Sequence, residues 1–417
     1  MFNFFIEIFT NPIFLSVVRV LYSTAYIWFP VLCLFIIWEL WVRYVQALFF
    51  AKQKYVLLEV KVPREVFKSP QAAEFFINSL HQNGGEGNWY EKYWKGQVRP
   101  WFSLEIASIN GAIHFFIWTR VGNRPVIEAN LYSQYPGIEI FEVEDYTLPI
   151  SYNPELNTVW ATEFDLTNPD VFPIKTYIDY GLEKDPKEEY KIDPLTPLIE
   201  FLGGIARDQQ VWIQILVRSH KSEETDPKTG KAVDMRWAKA AQVEIDKIIT
   251  SIKGEKDKEG KLIPGTGRQL TDVERDTINA LGRSVSKKGF DVGMRAVYIA
   301  PKETFNPSNI GGIIGGITHF NSSLNGFKPV RGSSDKYSFF LLAWKDRSAK
   351  SKHEEKAELL DKFKRRAYFH KPFASPHFVL NSEELATLFH FPGGVSVTPT
   401  FGRIESKKAE APSNLPV

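Results

Sequence analysis

Residues Leu21–Val42 read LYSTAYIWFPVLCLFIIWELWV, and the rest of the chain is organised around this stretch. Its one charge, Glu39, lies close to its end. An α-helix of about 22 residues covers roughly 33 Å, which is enough for the hydrocarbon core of a bilayer. Tyr and Trp gather at both ends, as at membrane interfaces, and Pro30 is tolerable as a kink. We therefore predict a transmembrane helix; the alternative is a buried core helix.

Basic residues are unevenly distributed around this stretch. Arg43, Lys52, Lys54 and Lys61 follow it, whereas Arg19 precedes it. The positive-inside rule then predicts a single-pass protein of the inner (cytoplasmic) membrane, with the bulk of the chain in the cytoplasm. Residues 1–20 are a second apolar patch, which we interpret as an interfacial helix within a membrane anchor of residues 1–50. A second short span is the alternative.

The length and composition of the chain allow large folded domains, and its net charge does not point to an ionic substrate. A chain of 417 residues has room for two or three domains, and 44 % hydrophobic content is ample for their cores. The net charge of +2 indicates no global field that would attract nucleic acid. Cys33 is the only cysteine, which excludes an intramolecular disulfide and agrees with a reducing compartment.

The pattern after the anchor predicts an α+β domain over residues 55–150. Tyr55–Val62 is a strand, Ser69–Leu80 a capped helix, and two apolar runs surround Asn110-Gly111, a strong hairpin signal. A helix over Asn123–Tyr135 and a strand over Ile138–Val143 follow. The order β-α-β-β-α-β is that of a ferredoxin-like sandwich.

A similar order recurs over residues 155–345 with a charged helical arm, residues 219–288, inserted. The strands are expected at Val159–Leu166, Val211–Arg218, Phe290–Ala300 and Tyr337–Trp344, and the helices at Pro194–Ala206 and Asn309–Phe320. The glycine-rich helix NIGGIIGGITHF is too short to span a membrane, so we interpret it as buried and closely packed. The predicted fold is therefore a transmembrane helix followed by two tandem ferredoxin-like sandwiches.

The remaining residues are predicted to be a helical segment, 350–402, and a polar tail or linker, 403–417. The first helix of this segment carries Lys362, Lys364, Arg365 and Arg366. A solvated helix face explains such a cluster, and contact with phosphate or lipid headgroups is the alternative.

The chain lacks the motifs of the common enzyme classes. Thr225–Ala232 has neither the first glycine nor the Ser/Thr of a phosphate-binding loop, and the histidines are scattered without metal-ligand spacing. The sequence contains no Gly-x-Ser-x-Gly elbow. We therefore predict a non-enzymatic protein without cofactor, metal or catalytic residues.

One loop, Trp89–Trp101, mixes aromatic and basic residues in WYEKYWKGQVRPW. Such a loop can stack on single-stranded nucleic acid, lie near the bilayer interface or bury its rings in the domain. Combined with the later basic cluster, it gives a candidate interaction surface made of Trp89, Tyr93, Trp94, Arg99, Lys362, Lys364, Arg365 and Arg366.

Three groups of segments resemble one known family. They are YVLLEVKVPRE, FSLEIASINGAIHFFI and IEANLYSQYPGIEI (55–65, 102–117, 127–140); DPLTPLIEFLGG and QVWIQILVR (193–204, 210–218); and LNSEELATLFHFPGG and EAPSNLPV (380–394, 410–417). These are similar to the non-motor half, a domain of unknown function, of membrane-anchored coupling ATPases of type IV secretion and conjugation systems. In that family the last segment leads into the nucleotide-binding motor, whereas this sequence carries no Walker motif.

The resemblance implies a membrane-tethered scaffold or assembly subunit of a secretion-like machine. Its partners would be the lipid bilayer, a separate motor ATPase or other secretion subunits, and copies of itself. The alternative function is a single-stranded nucleic-acid-binding accessory protein at the membrane.

Overall fold

A computed structural model describes residues 12–63, 68–82, 84, 88–181, 193–221, 235–252, 268–330, 349–371 and 373–392. The chain divides into two compact units. The first comprises residues 1–53 and 84–98, and the second comprises residues 54–83 and 99–417.

Helices and strands are interspersed along the chain. The helices are α1 Pro12–Ser23, α2 Ala25–Lys52, α3 Pro70–Ser79, α4 Trp89–Tyr93, α5 Arg124–Gln134, α6 Thr196–Gly203, α7 Met235–Ile252, α8 Asp272–Val285, α9 Ser308–Thr318, α10 Ala349–Lys364 and α11 Ser382–Leu388. The strands are β1 Tyr55–Lys61, β2 Trp101–Ile109, β3 Ala112–Arg120, β4 Glu139–Val143, β5 Asn157–Leu166, β6 Gln210–Ser219, β7 Gly289–Pro301, β8 Phe327–Val330 and β9 Phe378–Asn381.

The first unit is built on α2, which among the described residues is the one helix long and apolar enough to cross a membrane. Its 28 residues extend for about 42 Å, longer than a hydrocarbon core of about 30 Å. At Thr24, between α1 and α2, the backbone N–H and the side-chain hydroxyl both donate to the carbonyl of Val20, at 3.0 and 2.7 Å. Of the predicted interfacial helix, residues 12–20 are helical and residues 1–11 lie outside the described residues.

The second unit contains one continuous antiparallel sheet of nine strands. Its order is β4-β1-β3-β2-β6-β7-β5-β8, and β9 pairs with β7. Strands β2 and β6 join the two halves of the sheet, with Ser103 opposite Leu216. The predicted α+β class is therefore confirmed, and the sheet runs without a break through both predicted sandwiches.

The hairpin between β2 and β3 has the predicted turn. Asn110 and Gly111 both have positive φ, 53° and 77°, and Ile109 lies opposite Ala112 across a two-residue loop. Two successive left-handed residues match the twist of the flanking strands, which explains the preference for Asn-Gly at this position.

The second half contains a strand in addition to those expected from the sequence. A short strand that the sequence pattern did not reveal, β8 at Phe327–Val330, pairs with β5. Its four residues, FKPV, include a proline, which is compatible with an edge strand but hides the strand pattern. The strand expected at Tyr337–Trp344 lies outside the described residues.

Apolar side chains cover both faces of the sheet. On one face, the large core receives buried residues from α3, α5, α6, α9 and α11. On the other face, Leu360 and Phe363 of α10 pack with Trp212 and Phe116 of the sheet and with Tyr146. The inserted arm packs in a small core, in which Trp237 and Ala241 of α7 and Leu281 of α8 lie with Val171 and Val379 from outside the arm.

Helix α9 is closely packed through two of its four glycines. A methyl group at Gly312 would lie 2.1 Å from the Phe201 ring of α6, and one at Gly316 would lie 2.6 Å from Leu198 of the same helix. Gly311 and Gly315 have no neighbour within 4 Å. The expected close packing is therefore confirmed for one face, where Ile313 and Ile317 are buried, whereas the face with Gly311 and Gly315 is exposed.

This asymmetry predicts opposite effects of two Gly-to-Ala substitutions. Gly315→Ala should stabilise the fold by about 0.5–1 kcal/mol, because alanine favours a helix over glycine. Gly312→Ala should destabilise it by about 1–3 kcal/mol, because its methyl group displaces Phe201. Thermal unfolding of the detergent-solubilised chain measures both, and equal midpoints for the two variants would contradict the packing.

Candidate membrane-interface site

Residues 88–98, which we call the aromatic clasp, form a short helix and a turn within the first unit. Asn88 caps helix α4, because its side-chain oxygen accepts a hydrogen bond from the backbone N–H of Glu91 at 2.9 Å. After Trp94 the chain turns back, and the N–H of Gln97 donates to the carbonyl of Glu91 at 2.9 Å. Hydrogen bonds within the clasp therefore fix the backbone that carries its aromatic rings.

The clasp packs on the C-terminal half of α2 through aromatic pairs. The Trp89 and Trp38 rings stack with centroids 6.0 Å apart, and Trp94 meets Trp41 edge-on at 5.3 Å. The Trp41 indole N–H also donates to the carbonyl of Tyr93 at 3.0 Å. Ring pairs of this geometry add about 0.5–1.5 kcal/mol each beyond the area that they bury.

Gly96 allows the clasp to reach the helix backbone. Its φ is +63°, and a methyl group built on it would lie 2.4 Å from the carbonyl carbon and oxygen of Val45. A side chain at this position would collide with main chain, which cannot rotate away as a flexible side chain can. Glycine is therefore required both for the conformation and for the close approach.

The clasp also carries two lysines. The Lys92 ammonium lies 5.3 Å from the centroid of the Tyr93 ring, and that of Lys95 lies 5.5 Å from the centroid of Tyr90. The rings of Trp89, Tyr90 and Trp94 remain 58 %, 57 % and 46 % exposed. The clasp therefore presents a surface that is both aromatic and cationic.

The predicted interaction residues are divided between the two units. Trp89, Tyr93 and Trp94 lie together in the clasp, whereas Arg99 belongs to the second unit. The Arg99 side chain is buried, and it donates to the carbonyl of Ser219 at 2.6 Å and lies 3.4 Å from Asp291. The Arg99 side chain is therefore held by contacts inside the second unit.

The basic residues at the end of α10 differ widely in exposure. Lys362 is buried and pairs with Glu358 at 3.0 Å, while the Lys364 ammonium donates to the carbonyl of Ile150. Arg365 is exposed and pairs with Asp361 at 2.7 Å. The cluster that looks continuous in sequence is therefore divided between the interior and the surface.

Arg366 is the centre of a buried charge network. It is 1 % exposed and donates from Nε and Nη2 to Glu105 at 2.9 and 3.2 Å, and it also binds Asp145. Ser103, Gln214 and Tyr146 also donate to Glu105, at 2.6, 2.8 and 2.9 Å. Burial alone would lower the pKa of Arg366, but Glu105 and Asp145 raise it above its ordinary value. The ion pair between Arg366, just after α10, and Glu105 of β2 thus connects this helix to the sheet.

A second charge cluster surrounds Asp291. Arg218 Nε donates to its carboxylate at 2.7 Å, and His220 Nδ1 lies 2.6 Å from it. Burial opposes ionisation of Asp291, yet His220, Arg218 and Arg99 hold its pKa at about 2. These groups form a buried charge cluster in which the carboxylate stays ionised at neutral pH.

Three buried carboxyl groups, those of Glu74, Glu383 and Glu384, lie near the start of α11. Glu74 accepts from Tyr177 at 2.8 Å and from Ser382 at 2.9 Å, and it pairs with Lys287 at 2.8 Å. Glu384 accepts from the backbone N–H groups of Asn381 at 2.8 Å and Ile174 at 2.9 Å. Burial raises the pKa of Glu384 to about 8 despite these two donors.

This raised pKa predicts a pH-dependent stability. The unfolded Glu384 carboxyl has an ordinary pKa of 4.5, so the protonated form stabilises the fold fully below that pH, and this contribution is lost as the pH rises through about 8. Glu384→Gln should therefore flatten the fall in the thermal midpoint between pH 5 and 9. Asp291 titrates below this window, so it does not mask the effect. Parallel pH profiles for the variant and wild type would refute the prediction.

The second unit also has a cleft of about 770 Å³ beside α8. Its charged lining includes Lys175, Asp179 and Arg283. Arg283 pairs with Asp179 at 2.9 Å, and the Lys175 ammonium lies 4.0 Å from the Tyr180 ring centroid. Charges of both signs therefore line the cleft.

Among the residues that the structure describes, no group of three His, Cys, Asp or Glu side chains is placed to hold a metal ion. Residues 45–401 match the family model of a domain of unknown function, DUF8128, and the chain belongs to this family. No curated protein matches the chain.

Sequence reasoning singled out three rings of the clasp, Trp89, Tyr93 and Trp94, but not Tyr90. Lys92, Lys95 and Gly96 were missed as individual members of the site. The available signal was the unit YWKG, a glycine directly after an aromatic-basic run, together with Trp38 and Trp41 at one end of the apolar stretch.

Proposed function

We propose that this chain is a non-enzymatic, membrane-anchored scaffold subunit. The observation that carries the proposal is the aromatic clasp on the C-terminal half of α2, where Trp41 both contacts the Trp94 ring and donates to the carbonyl of Tyr93. Tryptophan and tyrosine concentrate at membrane interfaces because one part of the ring system is apolar and another binds water. The clasp therefore marks the level at which α2 leaves the bilayer.

The scaffold consists, in this proposal, of two ferredoxin-like repeats that share one sheet. Strands β1–β4 lie in the order 4-1-3-2, and β5–β8 repeat that order in mirror image, as β6-β7-β5-β8. Helices α3 and α5 follow β1 and β3 in the first half, as α6 and α9 follow β5 and β7 in the second. This repetition supports two copies of the β-α-β-β-α-β unit, of which the second contains the inserted arm.

The proposed setting is the cytoplasmic face of an inner membrane, within a machine similar to type IV secretion or conjugation systems. The excess of Lys and Arg after α2 supports the orientation. The second unit would dock a motor ATPase or further copies of the chain. Nucleic-acid binding by the loop has less support, because Trp89 and Trp94 contact α2 rings.

Membrane fractionation and crosslinking test the proposal with the full chain. Alkaline carbonate should leave the protein in the membrane pellet, and crosslinking in those membranes should recover an ATPase or a homo-oligomer. Release by carbonate would refute the anchor, and recovery of monomer alone would refute the scaffold.

A thiol reagent that does not cross membranes tests the orientation. Arg365→Cys in a Cys33→Ala background places one exposed thiol on the second unit. Right-side-out cells should protect this thiol, and lysis should expose it. Labelling in intact cells would contradict the cytoplasmic placement.

A further inference from the structure

We propose that the aromatic clasp binds anionic phospholipid headgroups through Lys92 and Lys95. This inference rests on the proposed function, because it requires α2 to cross the membrane. It adds to that function a preference for one class of lipid, which the anchor helix by itself does not provide.

The first step is the depth of the clasp along α2. Trp89 lies beside Trp38, Trp94 beside Trp41, and Gly96 beside Val45, so the clasp rises along the helix as its residue numbers rise. From residue 38 to residue 45, α2 advances by about 10 Å. An interfacial helix likewise enters the headgroup and acyl boundary to a depth of about 5–10 Å. The clasp therefore has the extent of the headgroup layer.

The second step is the exposure of the rings. Each of Trp89, Tyr90 and Trp94 has about half of its surface uncovered, although each also belongs to an ordered ring pair or cation–π pair. Three adjacent, half-exposed rings form a surface that is unfavourable in water and favourable in the mixed environment of an interface.

The third step is charge. Arg43, Lys92 and Lys95 stand against Glu39 and Glu91 in this region, and Arg43 is paired with Glu39 at 3.3 Å. The net charge that remains is positive, because the two clasp lysines stand against Glu91 alone. Because each ammonium lies over a tyrosine ring, its stem runs along apolar surface while its charged end can meet a phosphate.

Lipid selectivity in vesicles tests this inference. The full chain is reconstituted in phosphatidylcholine vesicles that contain either spin-labelled phosphatidylglycerol or spin-labelled phosphatidylcholine, and the immobilised fraction of each label is measured. Wild type should prefer the anionic label. Lys92→Gln/Lys95→Gln should reduce that preference by roughly fivefold per lysine at the site.

The matched control is Lys302→Gln/Lys328→Gln, which removes the same charge from exposed lysines of the second unit. This control should keep the wild-type preference. A clasp variant that stays in the carbonate pellet, has the wild-type thermal midpoint and retains the preference would overturn the inference while leaving the anchor intact. Loss of the protein from the pellet would instead refute the proposed function. Inorganic phosphate should not compete with the anionic lipid; competition would show that the site binds free phosphate instead of a headgroup.

Discussion

Arg366→Met should lower the stability of the second unit by about 3–5 kcal/mol, because the substitution leaves the Glu105 carboxylate buried without its ion-pair partner. Glu105 is 0 % exposed. Ser103, Gln214 and Tyr146 still donate to it in the variant, but these neutral donors do not replace a guanidinium that binds with two nitrogen atoms.

The neighbouring residue provides the control for this prediction. Arg365→Ala removes an exposed pair with Asp361 four residues earlier, which is worth less than about 0.5 kcal/mol. Thermal unfolding of the full chain in detergent, followed by circular dichroism, measures both variants. If the two midpoints were equal, Arg366 would not hold α10 to the sheet.

Gly96→Ala should release the aromatic clasp from α2. The added methyl group would meet the main chain of Val45 at 2.4 Å, and the left-handed conformation itself costs a non-glycine residue about 1–2 kcal/mol. Either the clasp or α2 must then shift its main chain, and the hydrogen bond from Trp41 to the carbonyl of Tyr93 is lost. The expected result is a clasp that is accessible to trypsin after Lys92 and Lys95.

Gly84→Ala is the matched control, because no atom lies within 4 Å of a methyl group at this position in the same unit. Limited trypsin digestion of the full chain in detergent, followed by mass spectrometry, should leave wild type and Gly84→Ala uncut at these two lysines. Equal resistance of Gly96→Ala would mean that Gly96 is not needed for the packing.

Local signals in the sequence predicted much of the fold. The Asn110-Gly111 turn and the serine cap of α3 each depend on residues next to one another in the chain, so their geometry follows from those residues alone. The apolar stretch of α2 is likewise self-contained. By contrast, the pairing of β2 with β6 and the short strand β8 depend on partners far away in sequence.

The candidate site was partly predictable for the same reason. Its rings are visible in WYEKYWKG, and the interface was one of three environments considered for them. Lys362 and Arg366, however, resemble surface residues in sequence because a basic run on a helix is usually solvated. Glu105 binds Arg366 from a strand far away in sequence, and no local pattern predicts that pairing. The pair of Lys362 with Glu358, four residues earlier on the same helix, is local, but it does not reveal that Lys362 is buried.

The continuous sheet has a consequence for the order in which the protein folds. Strand β7 shares one edge between β5 and β9, and β9 begins at Phe378. A ribosome therefore completes β5 and β7 long before β9 exists. During that interval the growing sheet has an open edge, and pairings over such long sequence distances form slowly. Synthesis of this protein should therefore depend on chaperones that shield strand edges until residue 381 has been made.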